Sequence, residues 1–292
     1  MNYKKIKQIY NKLKKYNVAF VGYGNQTTDG ISKGIGLIAG VEKKQVFPEK
    51  KIPEKINGET VDVQEIKFSQ CNRQDEIVSD SQTLFIDNAT KNWKGSAGHV
   101  CYYRGKKVML TNYHVAPDVG DEIFFEGQFL GKTIKTYEKS LYDISAIMLE
   151  DQTIPTSGDL GARLKDINHN DIVWHDGGMT GKNQGKVGSI GILGVNDPIL
   201  GRFQSYGFLY LGINEEKITA SGDSGSMVWS SLYGENYAVG VANGENARWA
   251  TAVPLYDFVK ENRLIRWGRV KNISMELYRA KMREKIYNRK YR

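Results

Sequence analysis

Ser224 sits in Ala220-Ser221-Gly222-Asp223-Ser224-Gly225-Ser226, a serine held between glycines directly after an aspartate. A serine hydroxyl is a weak nucleophile at neutral pH, so it needs a base within hydrogen-bond reach and a third group to orient that base. Two upstream segments offer candidates. Val108-Met109-Leu110-Thr111-Asn112-Tyr113-His114-Val115 is an apolar run that turns polar and delivers one imidazole, His114, at its end. Leu141-Tyr142-Asp143-Ile144-Ser145-Ala146-Ile147-Met148-Leu149 carries a single acid, Asp143, ahead of an almost wholly apolar run. A carboxylate there is costly to bury unless it is hydrogen-bonded. An imidazole N–H beside it would meet that need, fix the tautomer and stabilise the imidazolium formed when Ser224 loses its proton.

The chain order is His114, Asp143, Ser224, spaced 29 and then 81 residues apart. A nucleophile elbow of the G-x-S-x-G kind would place the histidine last, and the subtilisin order would place the aspartate first. Neither describes this chain. Thr111-Asn112-Tyr113-His114-Val115 (T-x-x-H-V), Asp143 to Leu149 (D-I-x-x-I-x-L) and Gly222-Asp223-Ser224-Gly225 (G-D-S-G) together resemble the trypsin-like serine peptidases of the chymotrypsin type. The resemblance implies an endopeptidase acting on protein or peptide substrates without a cofactor or metal. It gives the three residues the roles of base, orienting acid and nucleophile, with the N–H groups of Gly222 and Ser224 as the oxyanion hole.

The same resemblance implies a substrate pocket lined by Ile218, Thr219, Ala220 and Ser221 on one side and by Val241, Ala242, Asn243 and Gly244 on the other. The residue six before the nucleophile is Ile218 rather than an acid, so a preference for Lys or Arg lacks a charge partner. The later stretch has no histidine, which weakens a Glu preference, and a small or apolar preference remains by elimination. The other histidines fit the role of base less well: His99 reads as part of a strand, His169 lies in an Asn-rich loop, and His175 ends a strand before Gly177-Gly178. Asp118 and Asp121 follow His114 closely but share a loop with Pro117 and Gly120.

These residues need a scaffold, and the sequence offers one. Six strand-like segments (83–87, 96–104, 106–112, 122–126, 130–137 and 143–149) precede six more (171–175, 185–193, 204–212, 226–230, 237–241 and 247–254), punctuated by Gly, Asn and Asp. Six and six predict an all-β pair of six-stranded antiparallel barrels over residues 83–260, with the site in the cleft between them. The pattern G-x-x-T-G-x-x-x-G-x-V over Gly177 to Val187 resembles the opening of the second barrel in these peptidases.

The flanks read differently. Tyr3, Ile6, Ile9, Tyr10, Leu13 and Tyr16 recur at helical spacing among lysines, predicting an amphipathic helix. Short strands broken by glycine follow to residue 66, resembling the leader module that precedes the catalytic domain in some bacterial relatives, and residues 67–82 read as a linker; residues 1–82 are taken as one N-terminal region. Residues 261–292 place Val270, Ile273, Leu277, Tyr278, Met282 and Ile286 at helical spacing among Arg and Lys, predicting a basic helical tail.

The net charge of +8 belongs to these ends. Residues 1–16 carry net +6 and residues 261–292 net +8, leaving 17–260 at about −6. Packing of the termini or a regulatory protein partner is favoured over nucleic acid or an anionic membrane surface, since a charge run alone is a weak signal. With 40% apolar and 25% charged residues the composition is that of a globular protein. No run of 18 apolar residues and no signal-peptide core occur, and there are only two cysteines, Cys71 and Cys101, which predicts unbridged thiols and a cytoplasmic protein. Two rival readings remain at this level: a catalytically silent scaffold of the same fold, and a nucleic-acid binder acting through the basic termini.

Overall fold

The structure is a computed structural model, and residues 3–28, 31–44, 51–66, 85–157, 162–197, 199–245 and 249–264 are described. Cys71, the expected linker and nearly all of the basic tail lie outside these residues. The chain opens with helix α1 (Tyr3–Leu13) and a 3-10 turn, Lys14–Tyr16. Ile6, Ile9, Tyr10 and Leu13 form its buried stripe while Lys4, Lys5, Lys7 and Lys12 stay exposed, the separation that their three- and four-residue spacing requires. Strands β1 (Phe20–Thr28), β2 (Ile31–Val41), β3 (Lys55–Ile56) and β4 (Glu59–Glu65) follow. The β3–β4 hairpin turns on Asn57-Gly58, both at positive φ, as a two-residue primed turn demands.

Strands β5 (Phe85–Asn88), β6 (Trp93–Ser96), β7 (Val100–Tyr103), β8 (Lys106–Thr111), β9 (Glu122–Phe125), β10 (Gln128–Thr136) and β11 (Ser145–Leu149) form one antiparallel sheet in the order β6-β5-β9-β10-β11-β8-β7. Its two end strands are consecutive in the chain, separated by Ala97, Gly98 and His99. The sheet therefore curls until one bent stretch serves both edges, and Leu110 N–H donates to His99 O at 2.7 Å within the bend. The sequence led us to expect a single strand over 96–104. The observed strand begins earlier, at Trp93, and breaks at Gly98, where a Cβ would collide with the carbonyl of Leu110. Val100, Val108, Leu110, Ile123, Phe125 and Ile147 are wholly buried inside.

The second sheet uses β12 (Ala162–Leu164), β13 (Ile172–Gly177), β14 (Gly181–Asp197), β15 (Gly201–Gly212), β16 (Met227–Leu232), β17 (Glu235–Glu245) and β18 (Ala250–Pro254), followed by α2 (Leu255–Glu261). Its pairings run β13-β16-β17-β18-β15-β14 and return from β14 to β13, a ring of six. Strand β14 is longer than the expected 185–193. Its first part pairs with β13 and a later part with β1, from Gly24↔Ser189 to Phe20↔Leu193, while β15 lines nearly its whole length. Strands β1 to β4 thus extend the second barrel's sheet. Phe258 of α2 packs edge-on against Tyr137 and Tyr142, at 4.8 and 5.0 Å between ring centres, joining the end of the second barrel to residues flanking β10 and β11 of the first. Among the described residues no helix is long and apolar enough to cross a membrane.

Candidate active site

Strands β8 and β11 pair antiparallel with Thr111 opposite Ser145. The residues just past the end of β8 therefore lie beside those just before β11, which brings His114 and Asp143 to the same corner of the first barrel. Four hydrogen bonds hold this corner. His114 Nδ1 donates to Asp143 Oδ2 at 2.8 Å and the His114 backbone N–H donates to Oδ1 at 3.2 Å. Asn112 Nδ2 donates to the Asp143 carbonyl at 2.9 Å, and Ser145 Oγ to Ala116 O at 2.7 Å. His114 and Asp143 are both fully buried. A carboxylate accepts only, so Nδ1 carries the proton and Nε2 is left basic whenever the ring is neutral.

The second barrel supports the acid from behind. Asp143 N–H donates to Ser205 Oγ at 3.1 Å, Ser205 Oγ donates to Tyr206 O, and Tyr206 N–H returns a bond to Leu141 O at 2.8 Å. Nothing in the spacing of the sequence pointed to Ser205, because its role depends on β15 lying against the loop before β11.

Ser224 lies in the turn between Ala220 and β16, and it too is docked on the first barrel. Ser96 N–H donates to Ser224 O at 2.7 Å, and Ser96 Oγ donates to Gly222 O at 2.8 Å while accepting from Gly178 N–H at 2.8 Å. Gly225, at φ 98°, leaves no room for a side chain, since a Cβ would collide with Ser96 O and Thr111 Oγ1. Gly222 shares that left-handed φ of 98°. Among the described residues neither the Gly222 nor the Ser224 N–H is bonded to a protein acceptor.

Asp223, between the two, acts as a latch. Its Oδ1 accepts from the N–H groups of Met179 and Thr180 at 2.8 and 3.2 Å, and its Oδ2 from Thr180 Oγ1 at 2.7 Å and Ala220 N–H at 2.9 Å. His175 Nε2 lies 3.7 Å from Oδ2. Burial pushes the Asp223 carboxyl up, but the nearby His175 ring, the Thr180 hydroxyl and the Ala220 N–H outweigh it and hold the carboxyl below the usual aspartate value. The Gly177 to Val187 segment thereby anchors the turn that presents Ser224.

The remaining titratable candidates have other duties. His99 is wholly buried, bonded through Nε2 to Gly240 O at 2.9 Å and tilted against Trp229, and burial drives its pKa down to about 3. His175, expected at a strand end, lies inside β13 and behind Asp223. Asp121 accepts from Asn88 Nδ2 and Asp118 N–H, organising the loop beyond His114. Cys101 is an unbridged, buried thiol that burial pushes up to about 12, out of reach of nucleophilic chemistry.

Of the expected pocket residues, Ile218 and Thr219 are buried beside β14 and β17, and Ala220 and Ser221 lead directly into the nucleophile turn. Ala242 pairs with that turn: Gly225 N–H donates to Ala242 O at 2.8 Å and Ala242 N–H to Ser226 O at 2.9 Å. Val241 and Asn243 are buried on either side of it, Asn243 accepting from Thr251 Oγ1, and Gly244 follows. Residues 218–221 thus lead into the Ser224 turn, and Ala242 of the later segment is hydrogen-bonded to Gly225 and Ser226 just beyond it.

Two consecutive antiparallel barrels, with the Ser224 turn of the second hydrogen-bonded to Ser96 of the first, make this the double-barrel fold of the chymotrypsin-type serine peptidases. Solved structures similar to it are serine proteases of that fold. One, described as a glutamic-acid-specific serine protease that uses a histidine triad in substrate binding, is 16% identical, with a TM-score of 0.49, covering 62% of this chain and 96% of its own. Nocardiopsis protease is 15% identical with a TM-score of 0.45, covering 62% and 95%. Thermobifida fusca protease A is 13% identical with a TM-score of 0.45, covering 62% and 95%. The sequence matches no family model and no curated protein.

Proposed function

We propose that this protein is a serine endopeptidase whose nucleophile is Ser224, base His114 and orienting acid Asp143. The observation that carries the reading is the fully buried His114–Asp143 pair at 2.8 Å, set on the same barrel to which the Ser224 turn is hydrogen-bonded. In the proposed reaction Ser224 Oγ attacks the scissile carbonyl carbon as its proton passes to His114 Nε2. The N–H groups of Gly222 and Ser224 stabilise the oxyanion, each such donor being worth about 100- to 1000-fold in rate. His114 then gives the proton to the leaving amine, and water, activated by the same imidazole, hydrolyses the acyl-serine ester and frees Ser224. Asp143 keeps Nδ1 protonated and balances the imidazolium.

In this reading residues 83–260 are the catalytic domain, residues 1–82 a leader region built onto the second barrel, and residues 261–292 a basic tail for a regulatory protein partner. The unbridged, buried Cys101 fits a reducing compartment such as the cytoplasm. A fluorophosphonate probe tests the core of the proposal. Labelling of the full-length protein that is lost in Ser224→Ala is the expected result, and a wild type that stays unlabelled while cleaving no peptide substrate refutes it.

A further inference from the structure

Strand β14 forks where it leaves one neighbour for another. Its pairing with β13 reaches Ile172↔Lys186, and its pairing with β1 reaches Gly24↔Ser189. Between them the register with β15 shifts, and the Trp249 ring lies against Gly188. The fork opens into a cavity of about 830 Å³, lined by Asn25, Gln64 and Glu65 of the N-terminal strands and by His169, Lys186 and Ser189 of the second barrel. That is the size of a ligand or peptide site. None of His114, Asp143 and Ser224 lines it.

The polar groups of the cavity are not equally satisfied. Glu65 Oε1 accepts from the Lys44 N–H at 3.0 Å, and Glu215, which also lines the cavity, has a partner of its own. Lys186 is exposed, and among the described residues its ammonium has no carboxylate partner. Ser189 is buried, yet its hydroxyl makes no hydrogen bond among the described residues. Both ring nitrogens of His169 are closed off from solvent without a hydrogen bond, an unmet need in a buried polar group. Burial, and then the Lys186 charge, hold this imidazole below its ordinary value of 6.5, so near pH 7 it is neutral with one N–H to give.

We propose that the cavity is a peptide-binding site that captures a C-terminal end, with the terminal carboxylate on Lys186 and Ser189 and the last side chain against Trp249 and Ile213. An unpaired ammonium and an unused hydroxyl on one strand suit a carboxylate, which accepts from both. Glu65 and Glu215 against one ammonium repel a polyanion, which leaves a ligand with a single negative charge. A lone small carboxylate does not fill about 830 Å³, whereas a peptide end does. The side-chain amides of Asn25 and Gln64 are of the kind that pair with a peptide backbone, and Trp249 and the 49% exposed Ile213 offer apolar surface. The inference does not require Ser224 to be a nucleophile. Where it is one, each cut releases such an end.

The test uses full-length Ser224→Ala protein, so that no probe is cleaved, and the fluorescein-labelled tetrapeptides Ala-Ala-Ala-Leu and Ala-Ala-Ala-Phe, each as the free acid and as the C-terminal amide. Fluorescence anisotropy is expected to show the acids binding about tenfold tighter than the amides, the scale of one hydrogen bond to a charged group. Lys186→Met should bring the acids down to the affinity of the amides and leave the amides unchanged. Equal binding of acid and amide to the unsubstituted site overturns the inference. So does an acid preference that survives Lys186→Met, which would place the peptide elsewhere, the catalytic cleft included. Loss of acid and amide alike in Lys186→Met overturns it too, since Lys186 would then act on the fold and not on the carboxylate, as does no binding of either acid up to about 1 mM. Binding is read without catalysis, so a wild type that resists the fluorophosphonate refutes the peptidase reading and leaves the anisotropy result to stand by itself.

Discussion

Ser96 and Ser224 lie on different barrels, yet the Ser96 N–H donates to the Ser224 carbonyl at 2.7 Å, and the Ser96 hydroxyl bridges Gly222 O and Gly178 N–H. One residue of the first barrel thus fixes the nucleophile turn of the second. Ser96→Ala keeps the backbone bond but strands a buried acceptor and a buried donor, which costs about 1–3 kcal/mol. We expect a lower Tm and a kcat reduced about tenfold with KM little changed, less than deletion of a whole oxyanion donor would cost. Steady-state kinetics on the purified variant check this, and a kcat equal to wild type contradicts it.

Asp143 accepts from both the ring and the backbone of His114, and Asn there would offer an amide N–H to one of those donors. The imidazole would then favour the tautomer with its proton on Nε2, facing the wrong way for a base. Asp143→Asn is expected to fold, since Asn112 and Ser205 hold the backbone at residue 143 from both sides. Its kcat should fall by about 1000- to 10000-fold at neutral pH. A variant with more than a tenth of wild-type kcat would show that Asp143 does not act through the histidine.

Much of the fold was legible in the sequence. The Asn57-Gly58 turn and the hairpin turns at Arg104-Gly105, Glu126-Gly127 and Tyr233-Gly234 stand at positive φ, and three of these four follow from a glycine between strand-like runs rather than from the preferred Asn-Gly or Asp-Gly pair. The His114–Asp143 pair was legible because His114 follows one apolar strand and Asp143 precedes another, and antiparallel neighbours bring the end of one beside the start of the other. Strand β14 was read as 185–193, stopping short of Gly194, although it runs through that glycine to Asp197 as it runs through Gly188 and Gly191. In the fold, Gly188 lies under the Trp249 ring and Gly191 faces Gly22 at a close crossing, so their missing side chains allow contact rather than ending the strand. Ser96 and Ser205 were invisible for a shared reason: each acts across an interface between segments more than 25 residues apart, for which a single sequence carries no local signal.

His99 sets an expectation for acid stability. Its folded pKa, about 3, lies below the ordinary value of 6.5 because burial excludes the imidazolium. Between those values the unfolded chain binds a proton that the folded chain refuses. The stability is therefore fully present above 6.5 and is lost as the pH falls toward about 3, at about 1.4 kcal/mol per pH unit from this one group. His99→Gln, which retains an N–H for Gly240 O but cannot titrate, should show a flatter dependence. Urea unfolding at pH 7, 6, 5 and 4 measures it, and parallel curves for the two proteins would mean that His99 charges freely in the fold.

The N-terminal strands are held to the second barrel by one antiparallel pairing, β1 on β14, centred where Gly22 lies opposite Gly191. A side chain on Gly22 would collide with the backbone at Ile190 and Gly191, so the strands could approach only if one of them moved. Gly22→Val should cost about 3 kcal/mol, the upper end of overpacking penalties. Detachment of β1 would also uncover the β14 edge, a row of unpaired N–H and C=O groups beside the apolar Ile190, Ile192 and Leu193, and such edges recruit other chains. Strained but still paired strands would lower Tm and leave the protein monomeric. Freed strands would lower Tm and add concentration-dependent association, which size-exclusion chromatography with light scattering resolves. The pairing ends at Phe20↔Leu193, and Leu193 lies opposite Ser205, whose hydroxyl accepts from the Asp143 N–H, so labelling of Ser224 in the surviving monomer should match wild type only if β15 keeps its place. Loss of labelling in a folded monomer would show instead that the leader region supports the site directly.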